Sequence, residues 1–142
     1  IAHCSLHGNT SQAAELLAGE LRALGVKVAL NDLTRDDYAE GIEDAFRYPV
    51  MVLCSPTYDG GIMPVMANFI HLLAAKTYQK RTVALVENGT WAPQAGKLMR
   101  AELEKMKEVE VLEPVVSLRS SVSDDNKAAI KSLAQVLSEK IK

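Results

Sequence analysis

Three short stretches carry the residue types from which a ligand site can be built: "SLHGNT" at Ser5 to Thr10, "SPTYDGG" at Ser55 to Gly61 and "NGTWAP" at Asn88 to Pro93. In the first, Ser5, Leu6, His7, Gly8, Asn9 and Thr10 lead straight into a run of helical period. A helix start offers backbone N–H groups without intrahelical partners and the positive end of the helix dipole, a pairing that favours an anion and most often phosphate. Gly8 permits close backbone approach, while Ser5, Asn9 and Thr10 add side-chain donors. The same residues also suit an ordinary capped helix, with Asn9 as N-cap and Gln12 three positions on. In the second stretch Ser55 and Thr57 can donate or cap, and Tyr58 gives a flat face. Asp59-Gly60-Gly61 can take turn conformations that other residues resist. A planar ligand approached by backbone would use all of these, and so would a tight strand-to-helix turn with a surface tyrosine. The third stretch holds the only tryptophan of the chain, Trp91, between Asn88-Gly89-Thr90 and Ala92. A ring there is poorly placed for a core and well placed for stacking, or for sealing a helix end.

Other reactive side chains read more plainly. GxGxxG and GxxxxGK[ST] are both absent, so the usual dinucleotide and triphosphate cradles are not expected. Cys4 and Cys54 end neighbouring strands, yet buried free cysteines are common small hydrophobes and a disulfide is not expected in a reducing compartment. His71 sits among Phe69, Leu72 and Leu73 with no second ligand near it and reads as a surface or satisfied histidine. The methionines follow the helix and strand pattern as core filler. Glu102, Glu104, Lys105, Lys107 and Glu108 read as a solvated helix face. No metal site is expected.

The elements that must position these loops follow from patterning. At 142 residues and 48% apolar, the chain fits one domain over 1–142. Its start, Ile1-Ala2-His3-Cys4, looks like the end of a strand and suggests a domain excised from a longer chain. Sixteen basic against eighteen acidic side chains give a charge of −2, which supplies no basic footprint for nucleic acid or anionic lipid. No apolar run approaches the roughly 20 residues that span a bilayer, and a cytoplasmic location is expected. Self-association into a homo-oligomer is left open.

Strands are predicted at Ile1–Cys4, Val26–Leu30, Val50–Cys54 and Thr82–Val86, with a fifth divided by Pro114 into Val109–Leu112 and Val115–Leu118. Helical stripes alternate with them. The first runs from Thr10 to Leu24 and ends at Gly25; the second opens at Thr34 with Asp37 as a capping-box partner and carries Tyr38, Ile42 and Phe46. The third opens at Pro64, the fourth near Pro93, and the fifth at Ser123-Asp124-Asp125 with Ile130, Leu133, Leu137 and Ile141 in its stripe. Short β-branched runs alternating with helices predict an α/β, doubly wound three-layer sandwich around a five-stranded parallel sheet. Ligands of such sheets bind at the carboxyl ends of the strands where strand order reverses, the edge on which the three loops fall.

On these residues the sequence resembles the flavodoxin-like family: "SxxGNT" from Ser5 and "SPTYDGGIMPVMANF" from Ser55 carry the likeness. With "NGTWAPQAGKLM" added, it is most similar to the C-terminal flavodoxin-like domain of A-type flavoproteins, the flavodiiron proteins. The resemblance implies strand order 2-1-3-4-5, noncovalently bound FMN and electron transfer. It also implies a partner: a di-iron metallo-β-lactamase-like domain in the same chain, or another redox protein. It would place Ser5, Leu6, His7, Gly8, Asn9 and Thr10 around the phosphate. Ser55, Pro56, Thr57, Tyr58, Asp59, Gly60 and Gly61 would line the ribityl chain and one side of the ring, and Asn88, Gly89, Thr90, Trp91 and Ala92 the other. Two positions depart from the family pattern: His7 stands where a hydroxyl or aromatic is usual, and Glu87 puts an acid just before the third loop. An FMN-dependent quinone or NAD(P)H oxidoreductase, and a module of this fold that serves protein interaction without a cofactor, are the competing readings.

Overall fold

The computed structural model describes residues 1–35, 38–89 and 93–141. Twelve elements alternate along the chain: β1 (Ala2–His3), α1 (Asn9–Ala23), β2 (Asn31–Asp32), α2 (Tyr38–Arg47), β3 (Val50–Tyr58), β4 (Gly61–Ile62), α3 (Pro64–Ala75), β5 (Thr82–Asn88), α4 (Ala95–Leu103), β6 (Glu110–Val111), β7 (Val116–Leu118) and α5 (Asp124–Ile141). The sheet has seven strands rather than the predicted five, in the order β2-β1-β3-β5-β6. The two extra strands have local causes. β4 is a short antiparallel return on β3, whereas β6 and β7 both run parallel to β5 and share one edge position, interrupted around Pro114. Counted by position, the parallel order is the 2-1-3-4-5 that the resemblance implies.

Sheet residues alternate between two cores, as a period of two demands. Met51, Leu53, Val83 and Leu85 face α2, α3 and α4 together with Phe69, Leu73, Met99 and Leu103. Val52, Cys54, Ala84 and Val86 face α1 and α5, against Leu17, Leu21, Ile130 and Leu137. Burying each large apolar side chain contributes roughly 1.5–3 kcal/mol, so the two faces of β3 and β5 carry most of the stability.

Helix ends follow local chemistry. After α1, Gly25 is left-handed (φ 81°), its N–H donates to the Arg22 carbonyl at 3.0 Å, and the Val26 N–H reaches the Leu21 carbonyl at 3.0 Å. That is the Schellman pattern of a glycine-terminated helix. Ser123 and Asn126 cap α5 reciprocally: the Asn126 N–H donates to Ser123 Oγ (3.1 Å) and the Ser123 N–H to Asn126 Oδ1 (3.1 Å).

Two expected boundaries move. The second strand, read at Val26–Leu30, forms its ladder at Asn31–Asp32, where the register pairs Ala2 with Asn31 and His3 with Asp32. The second helix does not open at Thr34. The Thr34 N–H and hydroxyl both donate to Asp32 Oδ1, at 3.0 and 2.6 Å, which holds Thr34 in a turn; Asp37, the expected capping partner, lies outside the described residues.

Candidate functional site

The first loop leaves the carboxyl end of β1 beside β3, where the Cys4 N–H donates to the Cys54 carbonyl at 3.1 Å. The chain turns by closing the Gly8 N–H onto Ser5 Oγ at 2.8 Å, with Gly8 left-handed at φ 88°. Gly8, not Asn9, occupies the N-cap position, and no side chain caps α1. Asn9 is already helical, and the Gln12 N–H is taken by the Gly8 carbonyl at 2.9 Å. The capped-helix reading of this loop is therefore not what forms: α1 presents its first turn of backbone N–H groups with no side-chain acceptor. Leu6, His7 and Gly8 are exposed, Ser5 and Asn9 are half-buried, and Thr10 is buried. A Cβ on Gly8 would meet nothing within 4 Å, so the space is open and only the left-handed backbone demands glycine. Beneath the loop, the buried His3 has its Nδ1 2.9 Å from Oγ of the half-buried Ser11, a pair that sequence reasoning does not single out.

The second loop is a β-hairpin rather than a strand-to-helix turn. β3 runs on to Tyr58 in two steps: β5 pairs Ser55 with Glu87 and Pro56 with Asn88, and β4 then pairs Thr57 with Ile62 and Tyr58 with Gly61. Pro56 lacks an N–H, which is tolerable because β1 has ended at the level of Cys54 and leaves that side of β3 unpaired. Tyr58 faces Gly61 across the hairpin, and the central residues Asp59 (φ 49°) and Gly60 (φ 73°) both have positive φ. This is the backbone that Asp-Gly favours in two-residue hairpins. Tyr58 is 43% exposed and stands with Asp59 and Gly60 at the rim. Ser55 is buried completely, its hydroxyl donating to the Pro56 carbonyl at 3.1 Å, so its place is under the loop and not on its surface.

Thr57 joins the second loop to the third. Its Oγ1 accepts the Gln94 N–H at 2.9 Å and the Ala95 N–H at 3.2 Å, so a strand residue caps α4 from a distance of 37 residues in sequence. Glu87 completes the cap: its Oε1 accepts the Gly96 N–H at 2.9 Å. The acid that departs from the family pattern is thus spent on a helix start, where a carboxylate is favoured by the dipole. Thr57→Val, which deletes the shared acceptor, is expected to lower stability by about 1–2 kcal/mol. Thr57→Ser should restore most of it. Equal urea midpoints for wild type and Thr57→Val would show that the cap contributes nothing.

In the third loop Asn88 clips the segment after β7: its Nδ2 donates to the Ser120 carbonyl and its Oδ1 accepts the Ser120 N–H, both at 2.9 Å. The Gly89 N–H adds a bond to the Leu118 carbonyl at 3.1 Å. A Cβ on Gly89 would lie 2.9 Å from the Pro93 Cα, so the loop closes tightly at its base. Thr90, Trp91 and Ala92 lie outside the described residues. Arg119–Ser121 is brought to the same edge and was not among the expected site residues; its only sequence signal is that it follows the last strand.

No protein-family model and no curated protein matches the sequence. Solved structures do match. The chain superposes on a rubredoxin oxygen:oxidoreductase from Desulfovibrio gigas with a TM-score of 0.92 at 18% identity, covering 99% of this chain and 35% of that one. It superposes on the flavodiiron protein from Giardia intestinalis with a TM-score of 0.92 at 17% identity and the same coverage, 99% and 35%. A flavodoxin from the domain Archaea matches at 0.85 and 19% identity over 99% of both chains. The chain has the flavodoxin-like fold. It spans about a third of the length of the two larger proteins and the whole of the small one.

Within this flavodoxin-like fold the two thiols stand apart. His3 pairs with Cys54 and Ala2 with Leu53 across β1 and β3, so Cys4 points into the α2–α4 core and Cys54 into the α1–α5 core. A disulfide is excluded by that alternation, and both cysteines are free and buried. Burial pushes the Cys4 thiol from an ordinary 9.0 up to about 11 and that of Cys54 up to about 12. Thiols held neutral in the fold stabilise it fully below pH 9 and less as the pH rises toward these values, because the unfolded chain ionises first. Native protein at pH 8 is therefore expected to resist a thiol-labelling reagent, and its stability should fall between pH 9 and about 11. Rapid labelling of both cysteines without denaturant would contradict this.

His71 is exposed on α3, as the sequence reading has it. Among the described residues no group of three or more His, Cys, Asp or Glu could hold a metal ion, and no helix is long and apolar enough to cross a membrane.

Proposed function

We propose that this chain is an FMN-binding electron-transfer domain. Its partner would be a di-iron domain in the same polypeptide or a separate redox protein. The observation that carries the reading is the start of α1: a left-handed Gly8, no capping side chain, and a run of backbone N–H groups at the sheet edge where the connection leaves β1 for β2 on one side and β3 lies on the other. A dianionic phosphate is the ligand such a start accepts best. The residues present fit the rest of the cofactor as well. The rim of the β3–β4 hairpin offers the exposed ring of Tyr58 and a glycine backbone at Gly60, suited to the edge of a flat heterocycle.

Bound FMN would supply the gain and loss of electrons. The chain's own residues hold and orient it. Ser5, Gly8, Asn9 and Thr10 would take the phosphate, with His7 exposed beside them. Tyr58, Asp59, Gly60 and Gly61 would line one side of the ring, and Asn88 and Gly89 with Thr90, Trp91 and Ala92 the other. Ser55, Pro56 and Thr57 would act from beneath: Thr57 fixes the second loop to the start of α4, so the two walls keep one spacing. The match to a third of an oxygen oxidoreductase and a flavodiiron protein supports a partner that supplies the remaining chemistry.

The visible absorption spectrum, recorded before and after adding FMN and removing the excess, tests the reading. A retained flavin band, with FMN released on denaturation, is the expected result. A protein that stays colourless would leave the interaction-module reading in its place.

A further inference from the structure

The two helix starts at the carboxyl edge of the sheet differ in charge and in access. At α1 no side chain takes the first N–H groups. At α4 the N–H groups of Gln94, Ala95 and Gly96 are all taken, the first two by Thr57 Oγ1 and the third by Glu87 Oε1. One start is open to an anion; the other is closed and carries a negative charge.

Glu87 stands at the head of β5, opposite Ser55 on β3 and Ser117 on β7, with its carboxylate turned to the start of α4. A Cβ at position 96 would lie 2.9 Å from Glu87 Oε1 and 3.0 Å from Val115 Cγ1, so the carboxylate occupies room that a glycine leaves. It is half-buried, and among the described residues no lysine, arginine or histidine forms an ion pair with it. Arg100, further along α4, is engaged by the carbonyls of Val111 and Leu112 and by Glu104 and Glu113. Lys97 and Arg119, the other cations of this region, are exposed to water. Asn88 and Gly89, proposed above to line the ring, follow Glu87 directly, and residues of a strand rise only about 3.3 Å each.

On the FMN reading given above, we infer that Glu87 holds the reduction potential of the bound flavin low, as a fixed and partly desolvated negative charge at the ring end of the site. An electron accepted by the ring adds negative charge beside a carboxylate that no cation neutralises. That disfavours the reduced form and leaves the neutral, oxidised ring unaffected. The phosphate is held at the open start of α1 in both states, so its binding does not offset the effect. One like charge at about 10 Å in a medium of effective dielectric 20 changes an equilibrium by roughly a factor of ten. The electron donor that such a domain requires is a low-potential one.

Glu87→Gln keeps an oxygen for the Gly96 N–H and removes only the charge. FMN-loaded proteins are titrated with dithionite, the reductant that supplies the electrons, against reference dyes of known potential, and the flavin absorbance is followed. In Glu87→Gln the ratio of reduced to oxidised flavin at a fixed potential is expected to rise about tenfold, a shift of about 59 mV for one electron. Glu87→Asp, which keeps the charge, should remain near wild type. Glu110→Gln should match wild type, because it removes a carboxylate at the opposite end of the sheet, beside Thr82 and Lys140. Coincident potentials for wild type and Glu87→Gln, both with FMN bound, would overturn this inference alone. An equal rise in Glu87→Asp would also overturn it, by assigning the effect to the shape of the cap. A wild-type protein that binds no FMN would overturn the FMN reading and this inference together.

Discussion

Riboflavin, which lacks the phosphate, is expected to bind this chain at least about a hundredfold more weakly than FMN. The argument rests on the bare start of α1, where no side chain satisfies the first N–H groups and Gly8 holds the loop open. Hydrogen bonds to a charged group contribute roughly 1.5–3 kcal/mol each. Two of them at the low end already amount to a hundredfold, since about 1.4 kcal/mol is a factor of ten. Quenching of flavin fluorescence on titration measures both affinities on the same protein. Equal affinities would remove the phosphate from the role proposed for Ser5 to Thr10, even if the ring were still held by the other two loops. Raising the salt concentration should weaken FMN binding more than riboflavin binding, because only the former carries the charge interaction.

Phe69→Ala is expected to be the most damaging single truncation, at about 3–5 kcal/mol. Phe69 is fully buried at the centre of the α2–α4 core, 6.0 Å from the ring of Tyr38 between centroids. It also lies against Gly41 so closely that a Cβ there would sit 3.2 Å from its ring. That closeness matters: α2 approaches α3 through a glycine, so neither helix has a side chain free to fill the hole. Domains of this size are stable by roughly 5–15 kcal/mol in total, and the loss is a large share of that. Urea denaturation with an unchanged slope and a lowered midpoint is the expected record. A loss below about 1 kcal/mol would mean that the core collapses around the site, and the account of α2–α3 packing given above would fail.

The candidate site was more legible as a set of positions than as a set of roles. All three loops fall at the carboxyl ends of β1, β3 and β5, as alternation of strands and helices predicts. Within them, however, the side chains divide. Leu6, His7, Gly8, Tyr58, Asp59 and Gly60 reach the surface, whereas Ser55, Pro56, Thr10 and Asn88 are buried. Thr57 and Asn88 look like ligand donors in sequence, yet their polar atoms are engaged by Gln94, Ala95 and Ser120. Those partners lie more than 30 residues away, beyond what a local pattern can register. The hairpin at Asp59-Gly60 has the opposite history: Asp-Gly is a strong turn signal, but β3 reaches it by pairing with the distant β5 as far as Pro56 and with β4 beyond.

What the chain's sequence determines by itself is whatever depends on neighbours within a few residues. The period of its apolar residues sets the order of strands and helices, Gly25 and Ser123 end and begin helices, and Pro64 opens one. These are backbone and capping effects, decided within a single turn. What only the tertiary structure decided is everything that needs two distant segments at once. The register of β1 against β2 moved the second strand to Asn31–Asp32, and Asp32 drew Thr34 away from a helix start. The division of the last edge into β6 and β7, and the placing of Cys4 and Cys54 on opposite faces, also came from pairing. Hydrogen bonds across a sheet are indifferent to separation along the chain, so their partners are chosen by the fold as a whole.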